Sequence, residues 1–469
     1  MYKNTMEYFD QLTQIPRISK HEEQVRQWLC TWATDHKFNY KIDKRGNLVV
    51  YVPASPGFEH RPGLIIQSHM DMVPKKAENS NHNFLTDPIQ TYTEDGRLKA
   101  KGTTLGADNG IGLTMSMAAA IDALHPPLEL IFTVEEEIGL LGAIDFDPSL
   151  LSHKLFLNLD TEEEGEVCIA SAWAVRTDMQ KEYLNKPGSL QQHTIILSGW
   201  QGGHSGMEIH HKRANVVTLF ADIVSSYTGT IELSTMTGGQ AMNAIPSDCR
   251  AVLGIDDIEK FTQHVNDSLS RAKNQYPEDQ NITMTSEMHT TKQAVLAGDL
   301  RTLLRGITKV PVGVHEMHPT IENFVQTSTN LGTISIKDQM INIGYMTRGS
   351  LDQSLDGLIS RLQEHYEADG YDVINGKKCP GRSQNPNDPF VNLITNQYEQ
   401  VINKMPEKRA VHAWLECWAI SGLYNPTLQA VSIWPDITGA HTEWEKVSLK
   451  SISNITRVVG GTLYQLING

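Results

Sequence analysis

Cysteine is scarce in this sequence and shows no pairing. The 469 residues include only Cys30, Cys168, Cys249, Cys379 and Cys417, an odd number with no CxxC pair. That pattern argues against a cysteine-built zinc site and fits reduced thiols in a cytosolic protein. Long apolar runs are also missing, since no segment approaches the roughly 20 residues of a membrane helix. Positive charge is in deficit: 40 Lys and Arg face 55 Asp and Glu, a net charge of -15. Neither nucleic acid nor an anionic membrane is therefore expected as a partner. The opening MYKNTMEYFDQLTQ has no basic stretch leading into an apolar one, so no signal peptide is expected there. What remains is an ordinary globular composition, 39% hydrophobic and 20% charged, in a chain long enough to expect two domains.

The pattern along the chain predicts an α/β layer. Residues 19–36 read as a helix, with Ser19 and Glu22 spaced as a capping box and Val25, Trp28, Leu29, Trp32 and Ala33 at helical intervals. A hairpin follows, turning at Arg45-Gly46-Asn47. GLIIQ (63–67), LELIFTV (128–134) and KLFLNLD (154–160) are short apolar runs typical of buried strands, and NGIGLTMSMAAAIDAL between them reads as a small-residue helix. Strands alternating with helices predict a mostly parallel sheet. From about residue 185 the pattern becomes α+β, and a similar order of strands and helices recurs from ITMTSEM through DLRTLLRGIT, MINIGYM and LDQSLDGLISRLQEHYE. This predicts an inserted, internally duplicated domain over 183–384, flanked by the two parts of one α/β domain, 1–182 and 385–469.

Chemistry-bearing residues gather where apolar strands end. IIQSHMDMV places His69 and Asp71 two apart, on one face of a strand. TTLGADNGIG puts Asp108 in a glycine-rich turn before a helix. FTVEEEIGLLGA crowds Glu135, Glu136 and Glu137 at a strand end, LFLNLDTEEEGE ends an apolar run on Asp160, and ITGAHTEWE carries His441. Taken singly, a strand-end aspartate is more often a turn residue and a glutamate triplet a solvated face. Together they lie at the edge where open α/β sheets build their sites, and converging carboxylates repel unless a cation sits among them.

HMDMV, GADNGIG, EEEIGLLGA, LDTEEEGE and TGAH, in this order, resemble the aminoacyl-histidine dipeptidases, PepD-type enzymes of the co-catalytic di-zinc aminopeptidase and carboxypeptidase clan. GGHSGMEIH (202–210), NAIPSD (243–248) and VHAWLEC (411–417) extend the resemblance over almost the whole chain. It implies two Zn²⁺ ions, with Mn²⁺ or Co²⁺ as substitutes. Asp108 would bridge them, His69 and Asp160 would complete one site, and Glu137 and His441 the other. Asp71 would orient His69. Glu136 would act as general base on the attacking water, and the Asp108-Asn109 peptide bond would be cis. The inserted domain would be a lid carrying His204 for the oxyanion, with Asn243 and Arg348 holding substrate backbone and carboxylate. The implied activity is cytoplasmic hydrolysis of Xaa-His dipeptides such as β-alanyl-histidine, by a monomer or a homodimer. Glu416 receives no role.

The sequence departs from that family at several places. Trp173, Trp414, Trp418 and Trp434 stand where glycine is usual, and Arg382 where tryptophan is expected. Indole in place of glycine adds a large rigid body, either as compensated packing or as a reshaped substrate pocket. The departures spare all five implied ligands. They leave open another amide hydrolase on the same scaffold, such as a deacylase or a broader aminopeptidase, or a zinc-binding protein with little turnover.

Overall fold

The computed structural model describes residues 1–161, 163–206, 208–289, 293–317, 324–350, 352–378, 381–411, 415–424 and 427–469, and no side chain at 352, 382, 383 or 424. Trp414 and the Arg382 side chain therefore lie outside the described residues. The chain forms two compact units: Met1–Ser171, Pro380–Ala410 and Trp414–Gly469 make the first, and Ala172–Cys379 with Val411–Ala413 the second.

The first unit is built on a sheet whose strands run in the order Asn39–Ile42, Leu48–Val52, Leu128–Thr133, Leu64–His69, Leu155–Asn158, Gln429–Ser432, Glu166–Ser171 and Arg382–Ser383. The four strands from Leu128–Thr133 to Gln429–Ser432 are mutually parallel, and the outer ones join antiparallel. Leu64–His69 and Leu128–Thr133 are buried along their whole length, as expected of strands covered on both faces. The helix Ala107–Asp122 packs on Leu64–His69 and buries most of its length.

Small residues let that helix approach so closely. A methyl group on Gly112 would sit 2.7 Å from the Trp434 ring and 2.8 Å from the Leu159 carbonyl oxygen. Gly112→Ala is therefore expected to cost about 1–3 kcal/mol by overpacking, seen as a lower denaturation midpoint at unchanged m-value.

The second unit is an antiparallel sheet in the order Thr283–Met288, Gln191–Ser198, Cys249–Ile255, Ile231–Gly238, Val325–Lys337, Met340–Gly349, Trp173–Glu182 and Asp372–Asn375. One set runs strand Gln191–Ser198, helix Val216–Ser226, strands Ile231–Gly238 and Cys249–Ile255, helix Ile258–Gln275, strand Thr283–Met288. The other runs strand Trp173–Glu182, helix Leu300–Lys309, strands Val325–Lys337 and Met340–Gly349, helix Asp352–Ala368, strand Asp372–Asn375. The two sets meet through the pairing of Ile231–Gly238 with Val325–Lys337.

The structure departs from two of the sequence expectations. Thr283–Met288 does not open the second set; it pairs with Gln191–Ser198 at the edge of the first. The strand that opens the second set, Trp173–Glu182, was placed in the α/β domain by the expected boundary at 182. It pairs instead with Met340–Gly349, which moves the start of the second unit to Ala172. The first set lies, in sequence, between the opening strand and first helix of the second, and that insertion hid the true partner.

Candidate functional site

Four parallel strands of the first unit end at one edge. Leu64–His69 ends on His69, Leu128–Thr133 leads into Glu135–Glu137, Leu155–Asn158 into Asp160, and Gln429–Ser432 onward to His441. The helix bearing Asp108 starts beside them, and the Asp108-Asn109 peptide bond is cis.

The structure brings the expected acids and histidines together. His69 Nε2 lies 3.0 Å from Asp108 Oδ1, 3.7 Å from Asp160 Oδ1 and 3.9 Å from Glu136 Oε2. On the other side, His441 Nε2 lies 3.1 Å from Asp108 Oδ2 and 2.9 Å from Glu137 Oε2. Three overlapping donor groups result, each within 4.8 Å: His69 with Asp108 and Asp160, Asp108 with Glu137 and His441, and His69 with Glu136 and Glu137. The first two bring together the residues that the resemblance implied as ligands, with Asp108 common to both. Of the glutamate triplet, Glu135 turns away and accepts from Arg45 Nη2 at 2.8 Å.

Asp71 is fully buried, and its carboxylate meets four neighbours. Its Oδ1 lies 3.4 Å from His69 Nδ1 and accepts from the Glu136 N–H at 3.1 Å. Its Oδ2 accepts from the Glu137 N–H at 3.2 Å and from Ser19 Oγ at 2.7 Å. One carboxylate thus orients an imidazole and the backbone of two glutamates.

The charge pattern suits cations. Burial pushes the Glu136, Glu137 and Asp160 carboxyls above their ordinary range, and neighbouring carboxylates add to the push. Burial opposes charge on His69, but Asp160, Asp108 and Asp71 overturn that and raise it well above the usual imidazole value. Burial would likewise raise Asp108, yet hydrogen bonds from His441 and His69 drive it down. Without metal this crowding favours protons on Glu136, Glu137 and Asp160 and charged imidazoles beside Asp108, and divalent ions would replace those protons. Glu137 Oε1 is buried with no hydrogen-bond partner among the described residues. Two imidazoles and three carboxylates are a fitting donor set for zinc or a similar ion.

Several supports carried no readable signal. Arg17, 3% exposed, donates to the Met70 and Asp71 carbonyls at 2.8 and 2.9 Å and to the Gly106 carbonyl. Glu445, also 3% exposed, accepts from the N–H groups of Leu105, Gly106 and Asp108 at 2.8, 3.0 and 3.2 Å. Together they fasten the turn of Asp108 and the strand end of His69. Ser19 and Glu22 do not cap a helix as their spacing suggested. The helix begins at Glu23 with no side-chain cap, because Ser19 is engaged by Asp71 and Glu22 Oε1 accepts from the Glu135 N–H at 3.0 Å.

In the second unit His204 and Asn243 are neighbours. Gly203–His204 pairs with Ala244–Ile245, and the Ser205 N–H donates to the Asn243 carbonyl at 2.8 Å. Asn330 Nδ2 holds the carbonyls on either side of Asn243, of Met242 at 2.9 Å and Ala244 at 2.8 Å. Arg348 lies on the strand Met340–Gly349, opposite Ser328, and is 2% exposed.

The tryptophan departures separate. Trp434 and Trp418 are fully buried, Trp434 in the main core against Gly112. At these two positions the indoles are packing. Trp173 is half-buried, with the Lys378 ammonium 5.3 Å from its ring centroid.

A profile of the peptidase family M20/M25/M40 matches residues 65–465. The chain belongs to this family. It is 31% identical to the cytosol non-specific dipeptidase of Escherichia coli over 456 residues, covering 95% of this chain and 94% of that one. The aminoacylhistidine dipeptidase structure from Vibrio alginolyticus superposes with a TM-score of 0.76 at 29% identity, over 97% of this chain and 96% of that one. The aminopeptidase PepT of Bacillus cereus shares the fold, with a TM-score of 0.57 at 16% identity over 99% of each chain. This M20 member is a metal-dependent peptide hydrolase with the mixed α/β fold of its structural neighbours. Among the described residues, no helix is long and apolar enough to cross a membrane.

Proposed function

We propose that this peptidase is a cytoplasmic dipeptidase that cleaves Xaa-His dipeptides such as β-alanyl-histidine, using two zinc ions. The observation that carries the reading is the pair of donor groups sharing Asp108, one completed by His69 and Asp160 and the other by Glu137 and His441. When bound, the two cations supply Lewis-acid polarisation of the scissile carbonyl and a more acidic water.

The chain's own groups do the rest. Glu136 takes a proton from the attacking water on a carboxylate oxygen and passes it to the leaving amine nitrogen as the carbon–nitrogen bond breaks. Asp71, which accepts the N–H groups of Glu136 and Glu137, keeps that base in place and fixes the His69 ring. The second unit serves as the lid. His204 stabilises the oxyanion, Asn243 holds the substrate backbone, and the Arg348 guanidinium grips the carboxylate by two parallel bonds.

The test is metal content by elemental analysis beside hydrolysis of a dipeptide panel on the same sample. About two zinc ions per chain, with β-alanyl-histidine and other Xaa-His dipeptides cleaved ahead of acylated amino acids, is the expected result. Equal cleavage of unrelated dipeptides would replace the Xaa-His assignment with a broader dipeptidase. No bound metal after zinc is supplied would overturn the metal reading.

A further inference from the structure

We infer that Glu416, outside both donor groups, is a positioning residue of the metal centre whose buried carboxylate, on the His69 side of the sheet, strengthens cation binding and makes the metal-free site self-repelling. The inference rests on the metal reading above. It begins with a polar chain crossing the sheet just below the site. Gln67, Asn158 and Ser432 stand in register on three adjacent parallel strands, all fully buried. Ser432 Oγ donates to Asn158 Oδ1, so the Asn158 amide is turned to donate its Nδ2 to Gln67 Oε1 at 2.6 Å. Gln67 in turn donates its Nε2 to Glu416 Oε2 at 2.5 Å. Thr133 Oγ1 donates to the same oxygen at 2.6 Å.

The donors all run one way and end on Glu416. A head-to-tail chain of this kind polarises each successive bond, and its end must be an acceptor. Glu416 is fully buried at the start of the helix Glu416–Tyr424, and its other oxygen, Oε1, has no hydrogen-bond partner among the described residues.

The location follows from strand geometry. Gln67 precedes His69 by two residues, so both side chains point to one face. Thr133 stands directly opposite His69 in the ladder. Glu416, held by both, therefore lies on the His69 side of the sheet, within electrostatic reach of His69, Asp71, Glu136 and Asp160. Burial pushes its carboxyl up to about 7, against the pull of His69 and of the hydrogen bonds from Thr133 and Gln67. A structural hydrogen-bond acceptor here could as well have been neutral. A carboxylate adds charge to a site already crowded with it, which is favourable only when cations are present.

The test is Glu416→Gln, which keeps the shape and an acceptor oxygen for Gln67 and Thr133 and removes the charge. Two quantities are read at pH 8: zinc affinity by competition with a chromophoric chelator, and the melting temperature of the metal-free chain. Zinc affinity is expected to fall roughly 10- to 100-fold, while the metal-free melting temperature rises by about 2–4 °C. Thr133→Val, which removes a hydrogen bond and no charge, is expected to lower the metal-free melting temperature. Glu416→Asp, which keeps the charge on a shorter stem, is expected to bind zinc more tightly than Glu416→Gln. A purely structural acceptor predicts that Glu416→Gln melts lower, fails to fold or binds zinc like wild type, and any of these overturns the proposal. Wild type is titrated alongside: if it binds no zinc, the metal reading itself has failed.

Discussion

Glu136→Gln is expected to lower kcat by roughly 10²–10⁴-fold while the bound metal stays at the wild-type level. The substitution keeps the size of the side chain and removes the basic oxygen that receives the proton of the attacking water. Both donor groups that share Asp108 are complete without Glu136, which joins only the third. The link that holds this segment in place runs from the Glu136 backbone N–H to Asp71 Oδ1, and a side-chain change leaves it alone. Turnover and elemental analysis on one preparation decide the matter. A variant retaining more than about a tenth of wild-type kcat would remove Glu136 from the proton path. A variant that loses its metals would make Glu136 a ligand instead.

Asp108→Asn is expected to strip the centre, because Asp108, alone among the described residues, places a carboxylate oxygen within hydrogen-bond distance of each histidine. Its Oδ1 is 3.0 Å from His69 Nε2 and its Oδ2 is 3.1 Å from His441 Nε2. An amide offers one oxygen and no charge, so one of these two sides loses its donor and both lose a share of the negative potential. The expected outcome is loss of at least one cation per chain and of nearly all activity, with zinc affinity lowered by at least roughly 100-fold. The contrast with Glu136→Gln is the informative part: one variant keeps the metals and loses the chemistry, the other loses both. Two tightly held cations in Asp108→Asn would falsify the bridging role.

The strand-end acids were legible because each follows an apolar run, and an apolar run bounded by turn residues reads as a buried strand in any context. Their convergence was legible only through the order of the motifs. The supports were not. Ser19 and Glu22 match the spacing of a helix cap, and nothing local says that Asp71 and the Glu135 N–H compete for them and win. Arg17 and Glu445 act on backbone groups far away in sequence, so no periodicity or spacing marks them. Gln67, Asn158 and Ser432 look like polar interruptions of apolar strands until the register aligns them. The start of the second unit was misplaced for a related reason. Trp173–Glu182 continues directly from the strand Glu166–Ser171, and only its pairing with Met340–Gly349 reveals the sheet it belongs to.

The span between the partners of Asp108 has a bearing on biosynthesis. His441 reaches Asp108 across 333 residues, and Glu445 clasps Leu105 across 340. Between them in sequence lies the whole of the second unit. While the ribosome is still making that stretch, the emerging polypeptide already carries His69, Asp108, Glu136 and Asp160 but neither the second imidazole nor the clasp. The strand Gln429–Ser432 must then slot beside Leu155–Asn158, a parallel and long-range pairing of the slow kind. On the proposed metal reading, a nascent chain would be unable to complete the second donor group until translation has passed His441, or to clasp the turn of Asp108 until it has passed Glu445.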